Sequence, residues 1–228
     1  VFSKLFGKND PTYALYLLCG NVMFNTMRGA TTQSLPCLVH NRGLLTKNRI
    51  SYSVFPISSN LAALVNFAFS LIALLGVMVV VHFQTFNNDA VGTIFSWNLL
   101  YIILMVPALF LFNYGISLFL SALYVFFRDV QHFYTVFLTL WTYLTPIFYK
   151  VDDLENSAFI QGIIKLNPMY HFVTFFRNIV YNISAYGELI GNKGIWESLG
   201  TLYLIGLLFL VLGGFVFVLT KRKFIFYI

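Results

Sequence analysis

The chain has 228 residues, of which 59% are hydrophobic and only 10% charged, and its mean hydropathy is +0.79. Soluble domains carry about 25% charged residues, so a water-soluble globule of this length would lack polar surface to cover its core. The net charge of +6 does not point to nucleic acid, because the basic residues sit between apolar runs and at the C-terminus, where they write membrane topology. The class is integral membrane protein, and the length fits one membrane domain with no room for an added catalytic domain.

The chain begins at Val1, without Met and without a signal-peptide pattern. Residues 1–6 look like the tail of an apolar segment, so an upstream stretch with one more span is expected. Residues 7–12 (GKNDPT) form a polar turn started by Asp10-Pro11. The first complete span is placed at 13–31, a weak one interrupted by Asn21, Asn25 and Arg28. Residues 32–53 carry His40, Arg42, Lys47 and Arg49 and no acid, which makes this loop cytoplasmic under the positive-inside rule. Pro36 and Gly43 limit helix here to short pieces, one of them around residues 44–48.

From Arg49 to Asp89 there is no charged residue, more than the ~20 apolar residues a helical span needs, and a span is placed at 54–83. Residues 84–93 are a polar outer turn. Residues 94–127 are again free of charge, with kinks expected at Pro107 and at Asn113-Tyr114-Gly115. Arg128-Asp129 forms an inner turn, and residues 130–148 return outward to stop at Thr145-Pro146. Residues 150–200 hold Asp152, Asp153, Glu155, Glu188 and Glu197. Their apolar stretches 158–164 and 169–180, separated by Asn167-Pro168, predict two short amphipathic helices at an outer membrane surface. A last span over 201–220 contains Gly213-Gly214 and is followed by Lys221, Arg222 and Lys223, which places the C-terminus in the cytosol. The fold class is an all-α polytopic membrane protein with five complete spans here.

The chemistry of the chain is marked by what its motifs fail to match. Residues 43–48 (GLLTKN) do not make a phosphate-cradling P-loop. No carboxylate falls inside a span, so ion-coupled transport finds no support; energy for transport is expected from a partner ATPase. Cys19 and Cys37 have no metal-ligand company and are not expected to pair. Tyr143, Tyr149, Tyr170 and Tyr181 fit an interfacial belt more easily than a ring-lined channel. Arg128-Asp129 fits a contact for a cytosolic partner and a solvated turn equally well. A membrane-embedded glycan or lipid enzyme would have to use Asp152, Asp153 and Glu155; a scaffold would need none of these features. Asn182-Ile183-Ser184 matches an N-glycosylation triplet and carries little weight.

Taken together, Phe126-Phe127-Arg128-Asp129-Val130-Gln131-His132, Thr145-Pro146-Ile147-Phe148-Tyr149, Asn167-Pro168-Met169-Tyr170 and Phe176-Arg177 resemble the ABC-2 permeases of polysaccharide, O-antigen and teichoic-acid exporters. So do Leu44-Leu45-Thr46-Lys47-Asn48-Arg49 and Phe55-Pro56-Ile57-Ser58, in the same order along nearly the whole chain. The resemblance implies six spans in the full chain and a homodimer served by two copies of a separate ATPase, with Mg-ATP bound on that partner and no cofactor here. It implies multi-pass residence in the bacterial cytoplasmic membrane and export of a lipid-linked polysaccharide or teichoic acid. A drug or small lipid is the alternative cargo. ATPase coupling would fall to Leu44, Leu45, Lys47, Arg49, Arg128 and Asp129. The outer gate would involve Pro146, Tyr149, Asn167, Pro168, Tyr170 and Arg177, within a gate segment at 150–200.

Overall fold

A computed structural model describes residues 12–47, 50–85, 97–149, 158–181 and 194–224. All regular structure among them is helical. In chain order the α-helices are α1 (Thr12–Ser34), α2 (Cys37–His40), α3 (Arg42–Lys47), α4 (Val54–Thr85), α5 (Tyr101–Phe126), α6 (Val130–Leu144), α7 (Ala158–Leu166), α8 (Pro168–Tyr181) and α9 (Ile195–Thr220). Short 3₁₀ turns, Trp97–Leu100 and Lys221–Lys223, precede α5 and follow α9. The expected segments at 1–11 lie outside the described residues. So do Arg49, most of the 84–93 turn, Asp152, Asp153, Glu155, Glu188 and the Asn182 triplet.

The helix ends follow local chemistry. Pro56 sits in the first turn of α4, where a missing N–H costs nothing. Helix α6 stops at Leu144 rather than running to 148, because the residue before a proline is pushed out of the helical region and Pro146 has no N–H to give. Asn167 caps α8: its Oδ1 accepts from the Met169 N–H at 3.0 Å, and Pro168 takes the first helical position. Helix α9 begins at Ile195 rather than 201, with Glu197 in its first turn, where an acid suits the helix dipole.

Among the described residues three stretches are long and apolar enough to cross a membrane: Val54–Val81, Tyr101–Phe126 and Ile195–Lys223. Length and composition of the described helices do not confirm the expected count of five. Helix α6 has 15 residues, a rise of about 22 Å against a hydrocarbon core of about 30 Å. Helix α1 has the length but carries Asn21, Asn25, Thr26, Arg28 and Thr31. The apolar character of the long helices is turned outward. Leu61, Val65, Phe69 and Ile72 on α4, and Leu204, Leu208, Val211 and Phe215 on α9, are all exposed at helical spacing. Such stripes suit hydrocarbon rather than water. The chain is a multi-pass membrane protein.

The chain divides into two compact units. One comprises Val1–Phe24, Phe67–Met105 and Thr142–Leu199; the other comprises Asn25–Asn66, Val106–Trp141 and Gly200–Ile228. In the first, the core gathers around α8, whose Met169, Phe172, Val173 and Phe176 are fully buried; Phe67 packs against Phe176 with ring centroids 6.1 Å apart. The expectation of two surface helices therefore holds for α7, where Phe159 and Leu166 are exposed, and fails for α8. Helix α8 buries even its polar Arg177 and Asn178.

In the second unit, α5 and α9 touch backbone to backbone. A Cβ on Gly213 would fall on the Gly115 carbonyl, and one on Gly206 would lie 2.9 Å from the Ala108 oxygen. Small residues allow this approach. The Asn113-Tyr114-Gly115 run, expected to kink α5, thus serves as a contact, and α5 stays helical through it. Asn60 on α4 donates from Nδ2 to the Pro56 carbonyl at 2.7 Å and to Ser117 Oγ on α5 at 2.9 Å. That satisfies the amide N–H groups of a buried side chain that would otherwise be costly to bury, while its Oδ1 has no hydrogen-bond partner among the described residues.

Candidate functional site

The candidate residues fall in two groups, one in each unit. The first group is built on the chain leaving α6. Past Leu144 the backbone is unwound, so its carbonyls have no intrahelical partners. Four successive ones are each met by a side-chain donor. Arg177 Nη1 donates to the Pro146 oxygen at 2.7 Å, and Nη2 donates to the Ile147 oxygen at 3.0 Å. The Tyr13 hydroxyl donates to the Phe148 oxygen, and the Tyr16 hydroxyl to the Tyr149 oxygen, both at 2.9 Å. Just upstream, Asn167 Nδ2 donates to Thr145 Oγ1 at 2.9 Å. A stretch that Pro146 unravels is thereby fixed by α1 on one side and by α7–α8 on the other.

Arg177 is the hub. It is 3% exposed. Its guanidinium lies over the Tyr16 ring, 3.5 Å from the centroid, and its Nε and Nη2 both reach the Tyr16 carbonyl at 3.3 Å. Its planar fork of donors serves several carbonyls in a fixed geometry, whereas a lysine would have to reach them from a single nitrogen. Helix spacing explains the tyrosines: Tyr13 and Tyr16 are three apart on α1, share a face, and stack with centroids 6.2 Å apart. Tyr149 adds a bond from its own hydroxyl to the Tyr143 carbonyl at 3.1 Å, and burial raises its pKa above the usual tyrosine value. Tyr170 is half-buried in the first turn of α8, its ring edge-on to His171.

The second group surrounds an aromatic cluster in the second unit. Cys37, Leu38, Leu118, Ala122, Val125, Phe217 and Phe224 are buried together, and Leu45, Tyr52 and Phe126 pack against them. Phe224, fully buried, meets the rings of Tyr52, Phe126 and Phe217 at 5.4–6.1 Å. This seats α3. Leu45 points into the cluster, while Leu44 is 49% exposed and Lys47 is exposed. The two leucines are therefore not equivalent: one anchors the short helix and the other is offered outward. Arg128 and Asp129 are exposed in the turn between α5 and α6, where the Asp129 carbonyl accepts from the His132 N–H at 3.0 Å. Cys37 is buried, and desolvation pushes its thiol up to about 12. In the same unit Tyr134 on α6 donates to Thr31 Oγ1 on α1 at 2.7 Å. A cavity of about 490 Å³, lined by Phe119, Phe133, Phe137 and Trp141 among others, opens along α5, α6 and α9.

Residues 1–181 match the profile of the ABC-2 type transporter family. The chain belongs to that family. It is 27% identical over 184 residues to the O-antigen export system permease protein RfbA of Myxococcus xanthus, a match covering 79% of this chain and 66% of the relative. It is 25% identical over 224 residues to the protein of the same name from Klebsiella pneumoniae, covering 98% of this chain and 79% of the relative. The chain thus spans about two thirds of the Myxococcus protein's length.

Within this ABC-2 chain the structure joins Pro146, Tyr149, Asn167 and Arg177 in one bonded cluster, with Pro168 serving the cap of α8. It adds Tyr13 and Tyr16, which did not stand out in the sequence, and Thr145 and Ile147, which stood there only within the run 145–149 and not as gate residues. Tyr13 and Tyr16 carried one weak signal, two tyrosines at helical spacing in an apolar run. Their partners lie 135 and 133 residues away, beyond the reach of any local pattern.

Proposed function

We propose that this chain is the membrane subunit of an ATP-driven exporter of a lipid-linked glycan in a bacterial cytoplasmic membrane. Family membership implies an ABC ATPase partner, and both relatives named above are O-antigen export permeases. In this reading two copies of the chain frame the pathway, two ATPase subunits dock on the cytosolic side, and the C-terminal Lys221–Lys223 lies in the cytosol. Leu44, Lys47, Arg49, Arg128 and Asp129 face the ATPase; Leu45 supports them from within. Pro146, Tyr149, Asn167, Pro168, Tyr170 and Arg177 belong to the outer gate.

The observation that carries the reading is the bonded exit of α6. An apolar helix that begins at an exposed charged turn ends in an unwound segment whose carbonyls are held by a buried arginine. A displacement of the 128–129 turn is passed along α6 to that segment, and so to α7 and α8. ATP-driven closure of the partner subunits supplies the push.

The test compares Leu44→Asp with Leu45→Asp in the chain purified with its ATPase. A charge at Leu44 is expected to weaken ATPase association while the permease keeps its melting temperature, because the side chain is already half exposed. A charge at Leu45 is expected to lower the melting temperature, since it lands in the aromatic cluster. Full ATPase association and full hydrolysis with Leu44→Asp would remove α3 as the coupling element.

A further inference from the structure

We infer that Gly20 and Tyr16 are positioning residues of the outer gate, acting through Arg177: Gly20 supplies the vacancy, and Tyr16 the platform, that let the guanidinium reach the 146–147 carbonyls. The placement of the arginine in a gate rests on the exporter reading; its dependence on Gly20 does not.

Gly20 lies one helical turn beyond Tyr16 on α1, so both present the same face. A Cβ at residue 20 would stand 2.7 Å from Arg177 Nη2, the nitrogen that bonds both Ile147 and Tyr16, and 3.2 Å from Ile147 Cγ2. The arginine cannot retreat and keep its bonds. Its Nη1 is held at 2.7 Å by the Pro146 oxygen, and its plane is pressed on the Tyr16 ring at 3.5 Å. A methyl group at residue 20 therefore displaces the fork from the carbonyls it serves, although Gly20 itself makes no polar contact through a side chain. Tyr16 holds the same group in two ways, by its ring and by its carbonyl, and its hydroxyl donates to the Tyr149 carbonyl of the same unwound segment. The consequence is specific. The attachment of α8 to the exit of α6 is controlled from α1 by the absence of one methyl group.

Gly29, on the same helix, has nothing within 4 Å of an added Cβ and serves as the control. Alanine favours helix over glycine, so Gly29→Ala should keep or raise the melting temperature of the chain purified with its ATPase. Gly20→Ala should lower it by at least about 2 °C. In an Arg177→Ala background the clash is gone, and Gly20→Ala should become neutral or stabilising. Gly20→Ala should also lower the glycan exported per ATP hydrolysed, and combining it with Arg177→Lys, whose slimmer head clears the methyl group, should recover part of that ratio. The reversal of sign, together with the recovery, supports the assignment. Effects of Gly20→Ala and Arg177→Ala that simply add overturn it, as does a Gly20→Ala chain that melts and exports like the parent. If the parent complex exports nothing, the exporter reading falls, while the melting cycle still decides whether Gly20 positions Arg177.

Discussion

Two adjacent glycines on α9 give the sharpest test of how the helices meet. Gly213 faces Gly115 on α5, and an added Cβ would fall on the Gly115 carbonyl, with its carbon at 2.8 Å and its Cα at 3.2 Å. These are backbone atoms of a helix and cannot swing aside. Overpacking of this kind costs about 1–3 kcal/mol, and the better helix propensity of alanine offsets about 1 kcal/mol of it. Gly214, one residue on, has nothing within 4 Å, so there only the propensity gain of about 0.5–1 kcal/mol remains. For a chain of this size 1 kcal/mol moves the melting temperature by about 2–4 °C. Thermal unfolding of the two single variants in one detergent should give the order Gly214→Ala highest, parent between, Gly213→Ala lowest. A Gly213→Ala chain as stable as Gly214→Ala would refute the direct contact of α5 and α9.

The remaining predictions use other parts of the molecule. Asn167→Ala removes both the cap of α8 and the bond to Thr145 Oγ1, and should cost about 1–2 kcal/mol; a melting temperature unchanged within a degree would count against the cap. Cys37 should resist maleimide at pH 8 in the folded chain and react on denaturation. Burial raises its pKa from 9.0 to about 12, so the thiol stays protonated throughout the neutral range. Its contribution to stability is present below the unfolded value and is lost only as pH rises through the folded one. Rapid labelling of native Cys37 would show that the seat of α3 is open. Tyr134→Phe deletes the 2.7 Å bond to Thr31 and should cost about 0.5–1.5 kcal/mol, read as a lower melting temperature. Tyr124→Phe, whose hydroxyl makes an exposed 3.4 Å contact to Gln131, should be silent.

Much of this architecture is visible in the residues themselves, because a bilayer imposes long apolar runs and proline and asparagine mark their ends. The stop of α6 before Pro146 and the start of α8 at Asn167-Pro168 are of that kind. The count of five complete spans is not confirmed, because an apolar stretch is not by itself a complete crossing: α6 is short once Pro146 is respected, and α1 is polar. The nature of α8 was misjudged for a different reason. Arg177 and Asn178 give it an amphipathic look, yet a polar side chain marks a wet face only if nothing inside the protein can satisfy it. Here the carbonyls freed by Pro146 satisfy Arg177. Gly115 and Gly213 show the same limit. A glycine in an apolar helix looks like a kink until the helix lying against it is known. The two leucines of α3 divide likewise, since Leu44 and Leu45 are identical in type and only their neighbours separate an exposed side chain from an anchor.

In the proposed function, a lipid-linked glycan is moved by this chain with energy from a partner ATPase. The most direct measurement places the chain and its co-purified ATPase in sealed vesicles loaded with a lipid-linked glycan, and follows the glycan's transfer across the bilayer. Transfer is expected to require ATP and both proteins, and to fall when Arg177 is replaced by alanine. Transfer by this chain alone, transfer indifferent to ATP, or failure to find an associated ATPase would contradict it.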